Sequence, residues 1–153
     1  MKVRLLLVGR TERGFVAEGV EEYLSRCKRM VDLEVLALAE ERAGQAAHRQ
    51  RLEGDRILAA LRPGERLVAL DERGKSLTSE GFAQRLGVFR DGGSRQLAFV
   101  VGGAYGLSDH VRARAALVLS LSPMTFPHQL VRVLFAEQLY RALMILNRLP
   151  YHH

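Results

Sequence analysis

Short aliphatic runs alternate along this chain with longer stretches of helical period, and that order restricts the fold more than any other feature. A helix between two strands returns the chain to the end of the sheet it left, so successive strands lie parallel. Residues 3–8 form the first aliphatic run, dense enough for a strand buried on both faces. Residues 15–29 follow, with Val16, Val20, Tyr23, Leu24 and Cys27 on one helical stripe. A strand over 33–38 comes next, then a helix over 48–61 with Ile57, Leu58 and Leu61 inward, stopped by Pro63-Gly64. The third strand is expected over 66–70, ahead of the turn-rich Asp71-Glu72-Arg73-Gly74-Lys75. Ser79 is placed as the cap of a helix whose inner face is Phe82, Leu86 and Phe89. Residues 96–101 are the fourth strand, Ser108 caps a short helix ending near Ala115, and 117–120 are the fifth strand. The expected fold class is therefore α/β, a parallel sheet with helices on both faces, in one domain spanning 1–153.

The last helix, opened by Pro127 and running to 149, is apolar over too much of its surface to need only one cover. Val131, Leu134, Phe135, Gln138, Ala142 and Ile145 make one stripe, while Val133, Leu139, Leu143 and Leu146 add apolar surface elsewhere. The sheet covers one side; a second subunit is the expected cover of the other, making a homodimer through this helix. Charge points to a different partner. Twenty-three Lys and Arg against 17 Asp and Glu leave a net +6, a balance that favours a polyanion such as nucleic acid. Cys27 is the single cysteine, so neither a disulfide nor a cysteine-based metal site is expected, and it reads as a core residue. No apolar run reaches the roughly 18 residues of a membrane span. The opening run through Gly9 is too short for a secretory leader, and Arg10, Glu12 and Arg13 follow where small residues are needed. A cytoplasmic protein is expected.

Three segments carry candidate chemistry. Gly102-Gly103-Ala104-Tyr105-Gly106 follows a strand and precedes a helix, the context of a ligand loop. Its spacing is not the dinucleotide fingerprint and it follows the fourth strand, so as a bare pattern it reads more readily as a tight turn than as a ligand site. Leu121-Ser122-Pro123-Met124-Thr125-Phe126-Pro127-His128 holds two prolines, which keep it out of regular structure and leave backbone groups unpaired. Such groups suit the hydrogen-bonding edge of a base; a rigid turn that starts a helix is the alternative. The tail brings Arg148, Tyr151 and His152 together: a guanidinium, a ring able to stack on a base, and an imidazole.

Taken in order, Leu70-Asp71-Glu72-Arg73-Gly74-Lys75, the glycine loop, the segment from Leu119 through the two prolines to His128, and the closing Pro150-Tyr151-His152 resemble the ribosomal RNA large-subunit methyltransferase H family. That family is a minimal branch of the SPOUT class, and the likeness covers essentially the whole chain. It implies a C-terminal trefoil knot, which periodicity does not reveal because connections are normally unknotted. It implies S-adenosylmethionine as cofactor, held by Leu70, Gly102, Gly103, Leu121, Ser122, Pro123, Met124, Thr125 and Phe126. The implied reaction is methyl transfer to N3 of a pseudouridine of 23S ribosomal RNA in the assembled ribosome, with no metal. His152 would act as base or proton relay, Tyr151 would position, and Arg148 would meet phosphate or developing negative charge. The tail of one subunit would complete the site of the other.

Three rivals stand beside this reading. A non-catalytic RNA- or ribosome-binding module would share the basic charge. A hydrolase would use Ser122 or Ser120 with His128, although neither serine has a nucleophile-elbow context. A SPOUT enzyme acting on transfer RNA would differ only in its target.

Overall fold

The computed structural model describes residues 1–93 and 95–152, so His153 at the end of the tail lies outside the described residues. Five strands form one parallel sheet: β1 (Lys2–Val8), β2 (Asp32–Leu38), β3 (Arg66–Ser76), β4 (Gln96–Val101) and β5 (Leu117–Ser120), in the order β2-β1-β4-β3-β5. Between them lie α1 (Phe15–Cys27), α2 (Ala46–Ala60), α3 (Ser79–Asp91) and α4 (Asp109–Arg114), and α5 (His128–Leu146) follows β5.

Alternation along each strand divides the core into two layers. Val3, Leu5 and Leu7, with Val68, Leu70, Phe99 and Val101, face α1, α3 and α5. Leu6, Val8, Leu67, Ala69, Ala98 and Val100 face α2 and α4 through Ile57 and Val111. Helices therefore cover both faces, as the aliphatic runs required. Phe99 of β4 sits 4.8 Å from Phe135 of α5 and 6.0 Å from Phe82 of α3, ring centre to ring centre, and ties that layer together. Cys27 is fully buried and its thiol is pushed up to about 12 by burial, so it is inert core packing.

Four expectations need correction. The third strand does not end at Leu70 but runs to Ser76. Leu70 and Lys75 both pair with Leu119, so 71–74 are thrown out of the ladder as a bulge. Gly74 permits this because a Cβ there would stand 2.6 Å from the Val118 carbonyl oxygen. Thr78, not Ser79, caps α3 by accepting from the Gly81 N–H, which leaves the Ser79 hydroxyl to donate to Gln138 at 2.7 Å. The buried stripe of α5 is Gln129, Arg132, Phe135, Ala136, Leu139, Ala142 and Leu143. Val131, Leu134, Gln138 and Ile145 flank it half-buried, so the expected stripe was rotated about the helix. Finally, α5 ends at Leu146 and α1 at Cys27, each short of the expected limit.

Arg132 explains the rotation. Its side chain is fully buried, donating to the carbonyls of Val8 at 2.6 Å and Gly9 at 3.0 Å and to the Thr11 hydroxyl at 3.0 Å. No carboxylate pairs with it directly among the described residues. Burial pulls its guanidinium below the usual value, against the opposing influence of the more distant Glu12 and Glu40. One side chain thus fastens the start of α5 to the end of β1. Replacing it leaves two buried carbonyls without donors, which costs about 2 kcal/mol net of the relief of a buried charge. Arg132→Met should lower the urea midpoint accordingly; an unchanged midpoint would show that the carbonyls find other partners.

Candidate active site

The carboxyl ends of β3, β4 and β5 lie at one edge of the sheet, where open α/β sheets bind ligands. There the bulge after Leu70, the glycine loop after Val101 and the proline loop after Ser120 enclose a cavity of about 680 Å³. This is a size suited to a small organic ligand. Of the residues nominated from sequence, Leu70, Gly102, Gly103, Leu121, Ser122, Met124, Thr125 and Phe126 line it; Pro123 does not. His128 and Val131 from the first turn of α5, Tyr105, and Asp71 to Arg73 complete the wall. These were not singled out as lining residues, because their part depends on how the bulge and α5 meet.

Protein packs tightly against both glycines, and at Gly102 it leaves no room for a side chain. A Cβ on Gly102 would stand 2.9 Å from the Gly106 carbonyl carbon, and one on Gly103 would stand 3.2 Å from both Val8 and a Glu53 carboxylate oxygen. Both directions point into protein. Gly106, at φ +76°, closes the turn by donating its N–H to the Gly103 carbonyl at 3.0 Å. The loop is thus a tight turn, and it also forms part of the cavity wall. α2 holds it from outside, with Gln50 donating to the Tyr105 carbonyl at 2.8 Å and the Arg49 guanidinium over the Tyr105 ring.

Glu53 lies beneath this loop, nearly fully buried. One carboxylate oxygen accepts from the Glu41 N–H at 2.9 Å and the other has no partner among the described residues. Burial raises its pKa, only partly offset by that N–H. Asp71 behaves oppositely. Burial pushes its carboxyl up, but hydrogen bonds from the Arg73 backbone and guanidinium and the charges of Arg73 and Arg112 outweigh this and hold it low. His128 is held below its ordinary value by burial and by Arg132, so it meets the cavity as a neutral imidazole at neutral pH.

In the proline loop the Ser120 hydroxyl donates to the Ser122 carbonyl at 2.8 Å, and the Ser122 hydroxyl accepts from the Met124 N–H at 3.1 Å. Neither serine hydrogen-bonds to His128, whose Nε2 lies 3.5 Å from the Gln129 amide. That geometry gives no nucleophile–base pair. The Thr125 hydroxyl donates to Glu72, bridging proline loop to bulge. The backbone N–H groups of Thr125 and Phe126 have no partner among the described residues, and both belong to residues lining the cavity.

The tail stands apart from this cavity within one chain. Tyr151 donates to Glu137 at 3.2 Å, stacks edge-on to Tyr140 and lies under the Arg141 guanidinium. Burial and the neighbouring Glu137 push its phenol up to about 12, so it stays protonated. Arg141 donates to His152 Nδ1 at 3.1 Å, and His152 Nε2 faces a Glu80 carboxylate oxygen at 2.7 Å. Because arginine can only donate, Nδ1 holds the lone pair and Nε2 the proton in this arrangement. Arg148 is exposed, at φ +54°. Beside Glu137 a second hollow of about 600 Å³ runs along α5 between Phe82, Val133 and Leu134, and shares Leu121, Ser122 and Phe126 with the first.

Asp71 supplies a pH test. A carboxyl held low when folded stabilises above its unfolded pKa of about 4, and the contribution is lost as pH falls through the folded value. Asp71→Asn should therefore lower the unfolding midpoint at pH 7, and the gap from the parent chain should close as the pH drops below about 4. A gap of constant size down to pH 2 or so would mean that shape rather than charge is lost.

Comparison with known proteins gives the family. A family model described as "Predicted SPOUT methyltransferase" matches residues 1–152. The chain is 47% identical over its full length to the "Ribosomal RNA large subunit methyltransferase H" of Trichlorobacter lovleyi, covering all of that protein. It is 49% identical to the protein of the same name from Rhodospirillum centenum, with 99% of each chain covered. The corresponding protein of Geotalea daltonii is 43% identical, with both chains fully covered. The chain belongs to the SPOUT methyltransferase family.

Proposed function

We propose that this chain, as one methyltransferase domain, transfers a methyl group from S-adenosylmethionine to N3 of a pseudouridine in 23S ribosomal RNA of the assembled ribosome, in the bacterial cytoplasm. The observation that carries the reading is the cavity built by the loops after β3, β4 and β5, whose proline loop holds N–H groups, those of Thr125 and Phe126 among them, without a partner among the described residues. Relatives named for large-subunit ribosomal RNA supply the substrate class. Convergence of these three loops is also what a C-terminal trefoil knot would produce, and the reading includes one.

The cavity's residues suit the cofactor. S-adenosylmethionine supplies, when bound, a methyl already activated on a sulfonium, so the protein need only align it with its acceptor. Leu121, Met124 and Phe126 offer apolar surface to the adenine ring, and the N–H groups of Thr125 and Phe126 can donate to its edge. Glu72 faces a positively charged ligand, and neutral His128 adds no repulsion. Pro123 contributes by stiffening the loop rather than by contact. Leu70, Gly102 and Gly103 shape the wall.

The acceptor nitrogen must lose a proton as the methyl arrives. His152 is the proposed base, Tyr151 its positioning partner, and Arg148 the contact to phosphate or developing negative charge. For that role His152 must leave Arg141 and Glu80, which occupy both its ring nitrogens. We further propose a homodimer through α5, on which Val131, Val133, Leu134 and Ile145 are half-buried and Val133 and Leu134 line the second hollow. The tail of one subunit would then complete the cavity of its partner.

A complementation experiment tests the arrangement. His152→Ala should slow single-turnover transfer by about 100-fold with cofactor affinity retained. Gly103→Val should abolish cofactor binding by driving the turn off Val8 and Glu53. An equal mixture of the two variants, re-equilibrated as dimers, should recover about a quarter of the parental rate, since half the dimers then hold one intact site. No recovery would place tail and cavity in the same subunit; full activity of His152→Ala would remove it as base.

A further inference from the structure

Buried polar groups at the start of α5 hold the loop between β1 and α1 in one shape, and that loop presents charge to solvent. Arg132 grips residues 8, 9 and 11 as described, and Gln129, nearly fully buried, grips two more. Its amide donates to the Arg10 carbonyl and accepts from the Glu12 N–H, each at 2.9 Å. Gly9 at φ +82° and Gly14 at φ +96° let the chain turn at either end. Four hydrogen bonds between buried side chains and this loop, with a fifth at Val8 where β1 ends, are a heavy commitment for a surface connection.

What it displays is Arg10 and Arg13, both exposed, and Phe15, 73% exposed at the first position of α1. Neither arginine has a side-chain hydrogen bond or an ion pair among the described residues. Glu40 nearby is paired with Arg42, which leaves Glu12 as the loop's own carboxylate against two exposed guanidinia and the buried one of Arg132. The loop adjoins the cavity: Val8, just before it, lies 3.2 Å from where a Cβ on Gly103 would be, and Gln129 follows the cavity residue His128.

We propose that Arg10, Arg13 and Phe15 form a contact for single-stranded RNA beside the active site, the arginines pairing with phosphates and Phe15 stacking on an unpaired base. The inference rests on the RNA-methyltransferase reading and adds where the substrate is gripped. Exposed guanidinia on a held backbone, next to an exposed aromatic, match a nucleotide, whose anionic backbone and flat base need one of each. Rigidity matters because a preordered loop loses little entropy on binding. Substrate strands would cross the carboxyl edge of β1 on their way to the cavity mouth.

Direct binding tests this separately from catalysis. Affinity for ribosomes lacking the modification is measured over a salt series for the parent, Arg10→Ala/Arg13→Ala, Phe15→Ala and Phe15→Trp. Thermal melting and cofactor binding without ribosomes check that each variant is folded. The double arginine variant should bind more weakly and lose about 1.4 from the slope of log affinity against log salt, about 0.7 for each single-strand phosphate contact. Phe15→Ala should weaken binding about tenfold with the slope unchanged, and Phe15→Trp should retain it. Parental affinity and slope in all variants would overturn the proposal, as would a parent chain that does not bind ribosomes. So would a Phe15→Ala chain that shifts the monomer–dimer equilibrium while each dimer binds as before, since Phe15 would then be a subunit contact. Failure of the parent to transfer a methyl group despite this binding would overturn the enzyme reading and leave the RNA contact standing.

Discussion

The buried guanidinium of Arg132 is the interaction on which the arrangement of this molecule turns. A helix packed across a parallel sheet can slide or rotate with modest loss of apolar contact, because hydrophobic attraction has no direction. Hydrogen bonds to the carbonyls of Val8 and Gly9 have direction, and they exist in one position of α5 only. Fixing that position decides where the proline loop ends, where His128 faces, and which stripe of α5 enters the core. The same contact shapes the β1–α1 loop. Burial of the charge by the surrounding sheet and helices is the cost, offset by three hydrogen-bond acceptors.

Around that anchor the cavity is assembled from parts that support one another. The bulge is possible because Gly74 passes close to β5; the glycine turn is possible because Gly102 and Gly103 leave room for Gly106, Val8 and Glu53. Thr125 and Glu72 join bulge to proline loop, and Arg112 joins Asp71 to the end of the glycine turn at the Leu107 carbonyl. Polar contacts thus tie the bulge to each of the other two loops, and the cavity wall combines apolar Leu70, Leu121, Met124 and Phe126 with polar Asp71, Glu72 and His128. The loops are rigid because of what lies behind them, and available because of what does not lie in front.

Much of this was legible in the sequence where local pattern is the cause. Aliphatic runs marked the strands because both faces of a parallel sheet are buried, and proline and glycine marked the loops because they forbid or permit particular backbone angles. What was hidden depends on residues distant in the chain. Arg132 reads as a surface residue by type; only its spacing from Phe135, Ala136 and Leu139 sets it on the buried stripe. Strand β3 seemed to stop at Leu70 because the residues after it are turn-formers, and its resumption at Lys75 is fixed by pairing with Leu119. Gly103 suggested space for a ligand, whereas Glu53 on a different helix fills that side. The tail motif gave residue types without a location, since its contacts with Glu80, Glu137 and Arg141 follow from the turn after α5.

The central claim is that the three-loop cavity serves methyl transfer to the large ribosomal subunit's RNA. Transfer from labelled S-adenosylmethionine to ribosomes lacking the modification, with free ribosomal RNA and transfer RNA in parallel, tests it most directly. The account predicts label in assembled ribosomes alone, on N3 of a pseudouridine of 23S ribosomal RNA. Absence of label from every substrate, together with no binding of the cofactor, would contradict it.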